Sequence, residues 1–191
     1  MQLSDKFAGG RACALVRHQR RVDFDEARGI WIYADVDESE IVWSVITNVG
    51  RIQLHKGGYG TSGLPTNGFN FIALSNDALT ETATSTTLST EIAANGLTRA
   101  QGTVTLPIGA GNQTTVDKTF TATGAQSAQK AALFDASSVG NMNHALAFTQ
   151  RALVSTDTLQ ITFTMGRRLV FGGLRKHLAG RERSRRPVGR R

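Results

Sequence analysis

A chain of 191 residues with a hydrophobic fraction of 40% can bury the core of one domain with appendages, while its charged fraction of 19% is low for a solvated surface. The lone cysteine, Cys13, excludes an intramolecular disulfide and a thiolate metal site within one chain, and reads as a buried, inert thiol. The formal net charge of +7 is concentrated at one end: Arg167–Arg191 holds ten Arg or Lys against Glu182 alone, which leaves residues 1–166 near −2.

No apolar run approaches the roughly 18 residues of a membrane span, so neither a spanning segment nor a signal peptide is expected. Residues 1–37 read as an N-terminal arm with short strands at Val22–Phe24 and Gly29–Ala34. Within the second, Ile30, Trp31, Ile32 and Tyr33 form an unbroken apolar run. Such a run suits a strand covered on both faces, or an arm lying on a neighbouring protein, and these four are candidate partner-binding residues.

Asp37 and Glu40 fit a capping box opening a helix over 38–57. Ile41, Val42, Val45, Ile46, Val49 and Ile52 would form its apolar stripe, and Gly57-Gly58 its end. Residues 58–166 change character and predict a β domain. Phe69–Leu74 reads as a core strand, and the Ser/Thr/Ala-rich stretch 75–96 as an extended connection over the body with a helical turn near Glu91. Strands follow at Leu97–Leu106 and Thr114–Thr123, then a hairpin of Ala131–Phe134 with Asn143–Thr149. Thr158–Thr164 alternates most cleanly, with Leu159, Ile161 and Phe163 on one face. The fold class is therefore mainly β: an antiparallel β-sandwich or small open barrel, with one N-terminal-side helix and extended terminal arms.

The C-terminal arm, 167–191, opens on the apolar patch Leu169–Leu174 and from Arg181 on holds nothing apolar except Pro187 and Val188, too little to order alone. Its candidate partner-binding residues are Arg167, Arg168, Leu169, Val170, Phe171, Leu174, Arg175, Lys176, Arg181, Arg183, Arg185, Arg186, Arg190 and Arg191. Forked hydrogen bonds from these arginines suit carboxylates lining a protein groove, where the Leu169–Leu174 patch would also be buried. Nucleic acid phosphates are a second partner class, and a solvated tail is the bland alternative.

Reactive groupings are not gathered. His18, His55, His144 and His177 are scattered, and no HExxH or Cys/His spacing occurs. Asp135 and His144, with Ser137 or Ser138, sketch a triad only on paper, because Asp135 suits a turn and a lone strand His usually packs. Gly57–Gly63 lacks the lysine of a phosphate loop, and Asp77, Glu81 and Glu91 are too dispersed for a calcium loop. No catalytic, cofactor or metal residues are assigned.

The succession VITNVGRIQL (45–54), FNFIALSND (69–77), TTLSTEIAANGLTRAQGTVTL (86–106), QKAALFDASSVGNMNHALAF (129–148) and STDTLQITFTM (155–165) resembles small β-sandwich structural proteins of tailed bacteriophages. In that pattern Phe134-Asp135-Ala136 with Gly140 makes a tight hairpin, and Leu97-Thr98-Arg99 enters a long strand. The sequence departs from it at Gln129-Lys130-Ala131 and at Ser75-Asn76-Asp77. The resemblance implies a non-enzymatic virion protein without cofactor, decorating or cementing the head. Its partners would be major capsid or other virion proteins, in many symmetric copies or as a homo-oligomer, with no membrane. A tail, neck or fibre component is the alternative within that class. A nucleic-acid-binding protein using the Arg-rich tail, and a carbohydrate-binding adhesin, lie outside it. The adhesin is disfavoured because Trp31 and Trp43 precede the expected β region.

Overall fold

A computed structural model describes residues 10–59, 68–106 and 113–167. In chain order the elements are β1 (Gly10–Asp25), β2 (Ile30–Asp35), β3 (Glu40–Trp43), β4 (Val45–Ile46), α1 (Asn48–Tyr59), β5 (Phe71–Ser75), β6 (Ala100–Gln101), β7 (Thr103–Thr105), β8 (Gln113–Thr121), β9 (Gln126–Phe134), β10 (Met142–Leu153) and β11 (Thr158–Arg167). The named strands pair antiparallel into two sheets, ordered β2-β1-β11-β8-β7, with β3 also on β1, and β4-β10-β9-β5-β6. Neither sheet closes on itself, so of the two expected architectures the sandwich is the one formed.

Alternation places the core between the sheets. Leu159, Ile161 and Phe163 of β11 point inward as the sequence predicts, and meet Leu74, Leu133 and Phe148 from the second sheet. A smaller apolar cluster (Ala73, Leu88, Ala132, Phe134, Met142 and Ala145) lies on the other face of the second sheet. Leu88 brings the 76–99 connection down onto it, so that connection lies over the body as expected. The helical turn expected near Glu91 is absent; Glu91 forms a single bridge with Ser75 instead.

Four expectations need correction. The arm assigned to 1–37 is, from Gly10 onward, part of the sandwich: β1 runs between β11 on one side and β2 and β3 on the other. Ala12, Ala14, Val16 and His18 face inward from it, an alternation masked in the sequence by two small residues and a histidine. The helix expected over 38–57 begins only at Asn48. Residues 40–46 are strands, because the β-branched and aromatic run IVWSVI packs on a pleated surface better than in a helix. Thr47 supplies the cap: its hydroxyl accepts the Gly50 N–H and donates to the Met142 carbonyl. Gly50 cannot carry a Cβ, since Asn143 of β10 lies against it.

The strand expected at 97–106 is divided. Ala100–Gln101 pairs with β5 in one sheet and Thr103–Thr105 with β8 in the other. Gly102 makes the crossing where Asp117 and Val116 leave no room for a side chain. Finally, Cys13 is half-buried rather than buried, on the outer face of the first sheet opposite Trp43 and Thr164.

Candidate interaction surface

β1 outruns its sheet. Its pairing with β11 ends at Gln19↔Thr158, while its pairing with β2 continues to Asp25↔Ile30. Among the described residues the last six of β1 therefore pair with β2 alone, in a two-stranded ribbon roughly 20 Å long at about 3.3 Å per residue. A bulge at Val22 adds a residue to β1 and keeps Arg21 and Phe24 on one face.

Register assigns the two faces. Trp31 lies opposite Phe24 and Tyr33 opposite Arg21, on the face continuous with the outside of the first sheet. The Phe24 and Trp31 rings sit 4.8 Å apart at 54°, and the Arg21 guanidinium covers Trp31 at 4.2 Å. Ile30 and Ile32 occupy the other face, opposite Asp25 and Asp23. Ile30, Trp31 and Ile32 are 52%, 48% and 42% exposed. Among the described residues Ile30, Trp31 and Ile32 are thus open on both faces, which corrects the expected strand covered on both faces. Ile41 and Trp43 of β3 extend the exposed apolar surface along the same sheet edge.

The two tryptophans are accordingly not outside the β body, which corrects the reason given above against a carbohydrate module. They stand opposite Phe24 and Cys13, eleven β1 residues apart, or about 36 Å at strand rise. That spacing makes no single stacking platform.

Charged groups seal the base of the ribbon. His18 is buried between Asp37, 2.9 Å from Nδ1, and Asp157, 3.1 Å from Nε2. Arg20 donates two hydrogen bonds of 2.9 Å to Asp157, and Arg17 forks onto Asp35. Arg151 of β10 reaches Asp37 and Glu40 at 3.2 and 3.3 Å. Burial pushes the Asp157 carboxyl up, but the Arg20 fork, the Val154 amide and His18 outweigh it and bring it down to about 2. Asp37 and Glu40 thus tie the ribbon to the second sheet instead of capping a helix. The partners come from positions up to 139 apart in sequence, and nothing in the local pattern marks them.

The other expected groupings separate. Asp135 spends its carboxylate on the turn, accepting the N–H and the side-chain amide of Asn141 at 2.7 Å each. His144 is buried beside β4 and β9, its Nδ1 without a hydrogen-bond partner among the described residues, and burial lowers its pKa to about 4. Ser137 and Ser138 are exposed on the turn, and Arg99 holds that turn by donating to the carbonyls of Ala136 and Val139. Among the described residues no three His, Cys, Asp or Glu gather as for a metal ion, and no helix is long and apolar enough to cross a membrane.

One cluster was invisible in the sequence. Lys130, in the middle of β9, is fully buried and meets Asp77 at 2.5 Å, Glu81 at 2.9 Å and the Ser89 hydroxyl at 2.7 Å. Its ammonium, with Ser89, holds the Asp77 carboxyl well below the usual carboxylate range. Asp77 and Lys130 lie in the two stretches that depart from the phage-like pattern, and the fold places them against one another.

Of the C-terminal candidates, Arg167 closes β11 opposite Gly10, at the far end of β1 from the ribbon tip. Residues 168–191, which include Arg168 and every later C-terminal candidate, lie outside the described residues. Comparison with known proteins finds no matching family, curated protein or solved structure. The chain is assigned to no family.

Proposed function

We propose that the chain is a structural protein of a bacteriophage virion, a decoration, cement or minor capsid module that packs on major capsid subunits in many copies. The observation that carries this reading is the ribbon: Ile30, Trp31 and Ile32 are apolar, exposed on its two faces and placed on the edge strand of its sheet. A free apolar edge strand is an aggregation hazard in a solitary protein, and natural edges are usually blunted by charge, proline or a covering element. Here the edge fits strand addition or face packing against a neighbour, with backbone hydrogen bonds supplying affinity and alternate side chains supplying specificity.

Charge supports a repeated array. Residues 23–40 hold seven Asp or Glu against Arg28 alone, whereas 167–191 is strongly basic. An acidic stretch and a basic segment in one sequence allow unlike charges to meet between adjacent copies. Many modest contacts multiplied over a shell give strong net attachment.

Binding to genome-free heads tests the reading. The full chain is expected to coat empty heads, and a chain lacking residues 167–191 to coat them more weakly. If the full chain ignores empty heads but shifts duplex DNA at about 0.1 M salt and releases it steeply as salt rises, it is a genome-binding protein instead.

A further inference from the structure

The buried lysine cluster holds parts that an ion pair alone does not require. Lys130 lies opposite Ser75 in the β5–β9 pairing and shares its face with Ala132, beneath the 76–99 connection. Its Nζ is in contact with one carboxyl, Asp77, and with a second, Glu81, in a site closed to solvent at the amine. The two carboxyls are held differently. Glu81 Oε1 is fixed by the amide and hydroxyl of Ser89 at 3.3 and 3.1 Å. Asp77 accepts the Leu79 N–H on Oδ1 at 3.0 Å, while its Oδ2 is buried without a hydrogen-bond partner. A carboxyl that touches a buried amine and takes the Leu79 N–H on that same oxygen has the layout of an acyl acceptor beside its nucleophile.

We propose that Lys130 and Asp77 condense into an intramolecular amide, with Glu81 as the proton relay. The resting pair is ammonium and carboxylate. One proton passes from Lys130 through Glu81 to Asp77 Oδ2, leaving a neutral amine and a neutral acid. The Nζ lone pair attacks Asp77 Cγ, and the Leu79 N–H stabilises the negative charge that forms on Oδ1. Glu81 removes a second proton from nitrogen and delivers it to Oδ2, the C–Oδ2 bond breaks, and water leaves. An ammonium and a carboxylate become one amide and one water, with no oxidant, reductant or cofactor.

Contact geometry replaces activation by a leaving group, as high effective molarity does in intramolecular reactions, and the full burial of Lys130 opposes the reverse hydrolysis. The first proton must move against a strong ion pair, so the bond forms once and slowly. In a chain whose lone cysteine precludes an internal disulfide, this bond pins the long connection to β9. The inference does not depend on the proposed virion role.

Intact mass of the purified full-length protein tests it directly. The expected mass is one water below that of the sequence, with digestion yielding a branched peptide that joins the Asp77 and Lys130 segments. Lys130→Arg and the milder Glu81→Gln are each expected at full sequence mass. Folded wild-type protein that keeps its full sequence mass after long incubation overturns the proposal. So does a lost water that maps elsewhere, or that persists in Lys130→Arg.

Discussion

His144 gives this fold an acid-sensitive point. Its side chain is buried on β10, and burial lowers its pKa from 6.5 to about 4. Between those values the unfolded chain takes up a proton that the folded chain refuses, so stability present above pH 6.5 is lost as pH falls towards 4. The loss is roughly 3 kcal/mol at about 1.4 kcal/mol per unit. His144→Gln is expected to flatten this stretch of the stability curve, measured as denaturation midpoint against pH. Asp157 acts lower on the scale. Its folded pKa is depressed from 3.8 to about 2, so its contribution is complete above 3.8 and disappears as pH falls through 2. Removing it strands Arg20, His18 and the Val154 amide, and Asp157→Ala is expected to cost about 3 kcal/mol in denaturant unfolding. Neither residue announces itself in the sequence. A lone histidine in a strand and an acid in a turn are commonplace, and only long-range pairing gives them work. Lys130 was hidden for the same reason, since one lysine beside the apolar run Ala131–Phe134 reads as a surface position until the 76–99 connection is laid over it.

At the scale of elements, strands with clean alternation were legible and ambiguous runs were not. β11 and the β9–β10 hairpin follow from alternation and turn residues. Residues 41–46 satisfy a helical stripe and a strand equally well as a list of apolar positions, and β-branching decides the matter. The true helix start depends on Thr47, whose hydroxyl serves both α1 and β10. Thr47→Ala is expected to cost about 1 kcal/mol or slightly more. The ribbon was half legible: its strand at Gly29–Ala34 was read, but its exposure was not, because burial depends on where the second sheet stops. Substitutions there separate folding from binding. Ile32→Thr is expected to change stability by no more than about 0.5 kcal/mol, and Trp31→Ala, which also removes the Phe24 and Arg21 contacts, by about 1 kcal/mol. Attachment to heads should weaken by about 2 kcal/mol, roughly 30-fold, if these side chains anchor the contact. A large stability loss with unchanged attachment would place them in the fold's own packing instead.

Among the described residues, the molecule is a sandwich in which five exposed apolar side chains, Ile30, Trp31, Ile32, Ile41 and Trp43, stand on β2 and β3 beside β1. Ion pairs of Arg20 with Asp157 and of Arg151 with Asp37, and the hydrogen bonds of His18 to both carboxylates, root the base of the ribbon on both sheets. Beyond that base none of the described residues forms a second layer over the ribbon, so its amides should exchange with solvent faster than those of β11 in the free protein. The sharpest measurement is the position of the protein in an imaged virion, at a resolution that traces strands. The account predicts many copies over the shell, each with Ile30–Tyr33 covered by a neighbouring subunit. A virion without the protein, or copies whose ribbon projects bare into solvent, would contradict it.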